Sequence, residues 1–262
     1  MFGHAFKKQQ SSQKLLQRFK AGGGTLLDLE YLLRSTGERI CAFGYWAGFC
    51  GAAVSLRAWC AQQNSRICEA VSIFPSKEAL LSSVSDELDK TRQLPPCAIV
   101  IGALGNAGRG ASDLCTSLNI PLTQWHRTET THGGPYPEIL QHELMLNCIN
   151  ANENTPRLIS PSVLGTALQL SVIGDISCDP GTRYNPIPLY DEATTWDSPA
   201  IRVSNSPILD IVAINNLPAL LPSESSNDFA HQLLPYLLKL GEPQTPAWLR
   251  AEQIFREHTA EM

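Results

Sequence analysis

The chain has 262 residues, of which 43 % are hydrophobic and 17 % charged, with a formal net charge of -5. That length and balance suit one large domain or two ordinary ones with buried cores. The acidic balance and the lack of any Lys/Arg-rich run exclude a general affinity for nucleic acid or for an anionic membrane.

The N-terminal "MFGHAFKKQQ" lacks the apolar core of a signal peptide. In "SQKLLQRFKAGGG", Leu15, Leu16 and Phe19 share one face before the pattern stops at Gly22 to Gly24, which predicts a first helix. The runs "TLLDLEYLL" and "RICAF" flank the turn residues "STGE" and predict a hairpin. Residues 40–56 carry no charge between Arg39 and Arg57 and sit at the short limit for a membrane span. Gly44, Gly48 and Gly51 favour instead a buried helix over 44–60 that closely approaches a neighbour.

From Pro95 onward, short apolar runs at 97–102, 120–125, 144–149, 170–177 and 208–215 alternate with helical or loop stretches. Runs bounded by glycine and polar turns, without period-two alternation, read as strands buried on both faces of a parallel sheet. The fold class is α/β. Ser223 to Ser226 then offer caps for a helix through Leu238, in which Pro235 would introduce a kink, and a last helix runs from about Pro246 to Glu261. Eight cysteines, at 41, 50, 60, 68, 97, 115, 148 and 178, include no CxxC pair and no His spacing suited to zinc. They read as reduced, mostly buried thiols of a cytoplasmic protein, and no metal is expected.

The motif that carries chemistry is "IVIGALGNAGRGASDL", residues 99–114. A strand runs into Gly102, Gly105, Gly108 and Gly110, and "ASDLCTSL" follows as a helix, so backbone amides can meet a pyrophosphate at a helix N-terminus. The spacing departs from GxGxxG, and the residues alone leave open a tight strand-to-helix turn with another ligand or none. A strand-tip acid about 20 residues on would hold the ribose of NAD. Here "LTQWHRTET" presents His126 and Arg127, and the nearest acid, Glu129, lies three residues further, off the tip. Two readings stand side by side: tolerance of a 2′-phosphate, hence NADP as well as NAD, or two solvated loop residues.

Seven segments together resemble one family: "GHAFKKQ" (3–9), "GTLLDLEYL" (24–32), "AFGYWAGFCGAA" (42–53), "IGALGNAGRGA" (101–111), "ETTHGGP" (129–135), "NPIPLY" (185–190) and "LPALLPSESSNDFAHQLLPYLLKL" (217–240). They look like the NAD-dependent, lysine-forming saccharopine dehydrogenases, relatives of the alanine dehydrogenase and transhydrogenase folds. The resemblance implies two Rossmann-like domains with a cleft between them, the first incomplete here. Residues 1–42 would be a remnant of the substrate domain, 43–222 the dinucleotide-binding domain, and 223–262 helices returning to the substrate domain. It also implies that about 90 residues carrying a catalytic lysine and a substrate arginine precede the "GHAFKKQ" position in the family. Either the chain is then a fragment or truncated reading frame, a dinucleotide-binding remnant with little or no dehydrogenase activity, or another polypeptide supplies the rest.

The implied reaction oxidises the secondary amine of saccharopine with NAD and yields L-lysine and 2-oxoglutarate. The resemblance places His4 at the acid–base position, Lys7 and Gln9 in the substrate cleft, Arg39 on a substrate carboxylate and Phe43 at the hinge. Glu38 replaces a second arginine, which favours a related amine as an alternative substrate. It places Gly102, Gly105, Asn106 and Gly108 at the phosphate turn, His126 at the ribose position, and Thr130 and Asn150 near the adenosine and nicotinamide. Ile176, Ser177, Cys178 and Asp179, with Asn215, Asn216, Leu217 and Pro218, fall on loops closing over the nicotinamide. Fungal members carry a cysteine at the Ala107 position able to pair with that of Cys148, so that disulfide cannot form here.

Overall fold

A computed structural model describes residue 6 and residues 12–164, 169–178, 180–242 and 245–260. The chain divides into two compact units, Gly44–Ser225 and the paired segments Met1–Phe43 and Ser226–Met262.

The Gly44–Ser225 unit is built on one six-stranded sheet of order β2-β1-β3-β4-β6-β5. The strands are β1 (Ala98–Ile101), β2 (Leu122–Trp125), β3 (Leu144–Asn147), β4 (Val172–Asp175), β5 (Ile201–Asn205) and β6 (Ile208–Val212). All neighbours are parallel except β5, which runs antiparallel to β6 at the edge. Every residue of β1, β3 and β4 is buried, as their unbroken apolar runs predict for central parallel strands. The five runs read from the sequence become β1, β2, β3, β4 and β6.

One face of the sheet, through Ala98, Val100, Leu144, Leu146 and Val172, packs with helical residues into the larger core. It is covered by α2 (Gly44–Gln63), α3 (Lys77–Thr91) and α4 (Asn106–Ser117), numbered after α1 (Ser12–Ala21). The other face, through Ile99, Ile101, Met145, Ile173 and Ile211, is covered by Tyr136, Ile139, Leu158, Ile187 and Tyr190 from loops and short 3-10 turns. The apolar stretch 44–60 is thus a helix of the core. Among the described residues, no helix is long and apolar enough to cross a membrane.

Helices α2 and α4 meet backbone to backbone. A Cβ on Gly48 would lie 1.8 Å from the carbonyl oxygen of Ala107, and one on Gly110 would lie 1.9 Å from that of Tyr45. Gly110 therefore belongs inside α4, which starts at Asn106 rather than at the expected Ala111. The Tyr45 hydroxyl adds a hydrogen bond to Asp113 Oδ2 at 2.7 Å.

In the second unit, Phe6, Leu16, Leu26 and Phe255 form one apolar cluster, and Leu32, Ile40, Ala247, Trp248 and Ala251 another. The helices here are α1, the later part of α5 (Pro222–Leu237) and α6 (Pro246–Thr259). Pro235 lies in the last turn of α5, where its missing N–H removes one helical hydrogen bond, to the carbonyl of His231, close to the end of the helix. The expected hairpin is reduced to an antiparallel bridge between Leu33 and Arg39. The Asp28 carboxylate accepts from Glu30 N–H at 3.1 Å and caps a 3-10 turn, Leu29–Tyr31, in place of the first strand.

All eight cysteines are free. Burial pushes the Cys60 and Cys115 thiols up to about 12. Cys97 is exposed and Cys148 half-buried, while the others are buried, in line with mostly buried thiols.

Because the α2–α4 contact leaves no space for a methyl group, Gly48→Ala should lower unfolding free energy by about 2–3 kcal/mol through overpacking. Urea denaturation followed by far-UV circular dichroism measures it.

Candidate functional site

In the order β2-β1-β3, the chain leaves β1 toward one side of the sheet and returns as β3 on the other. The carboxyl ends of adjacent β1 and β3 then flank a crevice, the place where open α/β sheets receive ligands. After Ile101, Gly102 adopts φ +86, a left-handed conformation that glycine enters without steric cost. A Cβ there would also lie 3.2 Å from the backbone carbonyl of Cys148 in the loop after β3.

Gly105 N–H donates to Gly102 O at 3.0 Å, and Arg109 N–H to Gly105 O at 2.9 Å. The amides of Asn106, Ala107 and Gly108 precede that first helical bond and have no intrahelical acceptor. Gly108 lies in the first turn of α4, where a Cβ would sit 2.1 Å from Gly102 O. The Asn106 side-chain oxygen accepts from the Arg109 guanidinium. Backbone donors at the positive end of a helix fit the pyrophosphate of a dinucleotide.

Strand β2 ends beside this turn, since the Trp125 carbonyl accepts from Gly102 N–H at 2.9 Å and Ala103 N–H at 3.0 Å. His126 follows directly, half-buried, and its buried Nδ1 has no hydrogen-bond partner among the described residues. Glu129 lies in the turn beyond the strand, as expected, but its carboxylate reaches back to the strand's end. Its Oε2 accepts from His126 N–H at 2.6 Å and its Oε1 from the Thr128 hydroxyl at 2.8 Å. The His126 amide first, then the Thr128 hydroxyl, hold this carboxyl below the usual carboxylate range. Thr130 closes the same turn, donating to Arg127 O at 3.2 Å.

The loops after β3 and β4 are tied by a carboxylate that the sequence reading did not single out. Asp175, 1 % exposed, ends β4. Its Oδ1 accepts from Asn147 Nδ2 at 2.9 Å and from Cys178 N–H at 3.1 Å, and its Oδ2 from the Tyr190 hydroxyl at 2.6 Å. Burial first, and then the Asp175 charge, push the Tyr190 phenol up, so it remains a donor. Asn147, the last residue of β3, turns its own Oδ1 to the N–H of Ile149 at 3.2 Å, just before Asn150.

Ile176 and Leu217 come together over α2, where a Cβ on Gly51 would meet both side chains. Cys178, at φ 41, donates its thiol to Ala213 O at 3.1 Å. Asn216 is held by the Trp196 indole N–H at 2.7 Å, and Asn215 beside it is exposed. Ser177 is half-buried, and Pro218 O accepts from the Ser225 hydroxyl at 2.7 Å. The loops carrying Gly102 to Gly108, Asn150, Ile176 to Cys178 and Asn215 to Pro218 therefore all follow strands of the one sheet at its carboxyl edge.

In the other unit, Arg39 donates to Glu30 Oε1 at 2.8 Å, and Glu30 is the buried partner, with 3 % side-chain exposure against 45 %. Glu38 accepts from the Thr36 hydroxyl at 3.3 Å. Phe43 stacks on Phe229 with ring centroids 4.6 Å apart. His4, Lys7, Gln9 and Asp179 lie outside the described residues. A cavity of about 180 Å³ lined by Arg57, Asn64, Arg66, Cys68, Glu87 and Lys90 sits toward the C-terminal end of α2. Its mixed charges, with Arg57 bound to Glu87 at 3.1 Å, place it away from the Gly44–Gly48 end that meets the glycine turn.

Asp175→Asn turns one of the acceptors that meet these donors into a donor. It should cost about 2–3 kcal/mol of stability, read as a shift in the urea midpoint at unchanged slope.

Comparison with known proteins completes the picture. Residues 140–261 match the family model of the alanine dehydrogenase/PNT C-terminal domain. The chain is 39 % identical over 272 residues to a Neurospora crassa protein named saccharopine dehydrogenase (NAD(+), L-lysine-forming), covering 99 % of this chain and 73 % of that one. It is 40 % identical over 271 residues to the Yarrowia lipolytica protein of that name, covering 98 % and 73 %. A solved L-alanine dehydrogenase superposes with a TM-score of 0.60 at 14 % identity, over 93 % of this chain and 66 % of that chain, and so shares the fold. The chain belongs to the family of the NAD(+)-dependent, L-lysine-forming saccharopine dehydrogenases.

Proposed function

We propose that the protein oxidises the secondary amine of saccharopine with NAD(+), yielding L-lysine and 2-oxoglutarate in lysine biosynthesis. Family membership supports the reaction, and one observation carries the site: three amides of α4 open at a turn where Gly102 takes φ +86 and Gly108 has no room for a Cβ, beside the crevice between β1 and β3. NAD(+) bound there would supply the acceptor for the hydride leaving the carbon next to the substrate nitrogen.

The residues of this chain divide the remaining work. Asn106, Ala107 and Gly108 hold the pyrophosphate through their amides, the Gly102–Gly105 turn allowing the approach. Asn150, Ile176 to Asp179 and Asn215 to Pro218 form the nicotinamide end, with Thr130 on the adenosine side. As the amine loses its proton and hydride it becomes an imine, and water adding to that carbon releases lysine and leaves the 2-oxoglutarate carbonyl. His4 is assigned the proton exchange, since imidazole titrates near neutral pH. Lys7 and Gln9 are assigned to the substrate.

Arg39 is assigned a substrate carboxylate, for which its planar fork is suited. Glu30 orients the guanidinium from the buried side and leaves it partly exposed. The free thiols support a cytoplasmic setting.

The test is formation of NADH by the purified chain, followed by absorbance with a panel of N-linked amino diacids. Saccharopine should be the preferred substrate, and His4→Ala should lower kcat about a hundredfold. Preference for another panel member, or no reduction of NAD(+) with any of them, would contradict the reading.

A further inference from the structure

We propose that Glu129 supplies the carboxylate that receives the adenosine ribose hydroxyls and selects the dinucleotide lacking a 2′-phosphate. This rests on the dinucleotide reading above and assigns a residue of that site. A pyrophosphate at the start of α4 directs the attached ribose toward the tip of the neighbouring strand, β2. The vicinal ribose hydroxyls there need acceptors. A guanidinium provides none and a neutral imidazole a single one, whereas an ionised carboxylate has two oxygens with about four lone-pair sites and can receive both hydroxyls.

The side chain at the tip, His126, has one acceptor at most for two hydroxyls, but its main chain brings in a group with two. Trp125 O is bonded to Gly102 N–H and Ala103 N–H, so His126 begins immediately beside the phosphate turn. Glu129 reaches back to that point, Oε2 on His126 N–H at 2.6 Å and Oε1 on the Thr128 hydroxyl at 2.8 Å. One hydrogen bond on each oxygen leaves lone pairs on both. The residue is exposed and hence accessible to a ligand.

The turn is pre-formed by further bonds. Thr130 donates to Arg127 O at 3.2 Å, Thr131 to Thr128 O at 2.9 Å, and the Tyr136 hydroxyl to Thr130 O at 2.7 Å. The carboxyl is held in its ionised form by the same His126 amide and Thr128 hydroxyl. A 2′-phosphate at this place would meet a like charge. The cationic or neutral groups of the segment, Arg127 and His126, are the competing influence, and the comparison of NADH with NADPH sets one against the other.

Fluorescence titration of the full chain with NADH and with NADPH tests the assignment in wild type, Glu129→Gln and Glu129→Lys. Wild type should bind NADH at least tenfold more tightly. Glu129→Gln should weaken NADH about tenfold, the order of a hydrogen bond to a charged acceptor, while NADPH is unchanged or tighter. Glu129→Lys should reverse the preference. An unchanged NADH/NADPH ratio in both variants, equal weakening of both nucleotides, or wild-type preference for NADPH would overturn the proposal. Failure of wild type to bind either nucleotide would instead overturn the dinucleotide reading beneath it.

Discussion

The carboxylate of Asp175 is nearly inaccessible to water, and three donors from separate stretches of chain converge on it: Asn147, Cys178 and Tyr190. A buried charge left without such donors would cost several kcal/mol, so the four groups are bound to keep one arrangement. Through Asn147 the constraint passes to the Ile149 amide, and through Cys178 to Ala213. The ends of β3, β4 and β6 are thereby tied around the crevice. That is the arrangement a site needs in order to hold a nicotinamide ring and a substrate carbon in contact.

Steric exclusion at the glycines complements this polar network. Gly48 and Gly110 let α2 lie against α4, and Gly108 lets the first turn of α4 lie against Gly102. The helix end is consequently fixed on two sides, and its three open amides point out of a position set by packing. The glycines of the motif thus serve two purposes. Gly102 permits the turn, whereas Gly108 and Gly110 permit helix contacts and are themselves helical.

Much of the sheet is legible in the chain because strands buried on both faces must be apolar throughout, as "CAIVIG" and "LMLNCI" are. β5 escapes such a reading: it is an edge strand, half-buried, and contains Arg202, which is paired with Asp210 at 2.9 Å. α3 escapes because Ser, Asp, Glu and Lys dominate its surface and only Leu80, Val84 and Thr91 are buried. Asp175 looks like the polar end of an apolar run, because its partners Tyr190 and Asn147 are 15 and 28 residues away. The reach of the Glu129 side chain escapes residue counting for a related reason. A strand tip is defined in space, and a turn of three residues returns a long side chain to it. In each case a sequence position carries the residue type, while its contacts depend on tertiary structure.

The central claim is that a dinucleotide lies at the carboxyl edge of the sheet, across the start of α4 and the loops organised by Asp175. Hydrogen–deuterium exchange of the full chain with and without saturating NADH examines this residue by residue. Slowed exchange at the amides of Asn106 to Gly108, together with the segments 148–150 and 176–178, is expected. Binding of NADH with those amides unchanged and protection confined to other segments would contradict it.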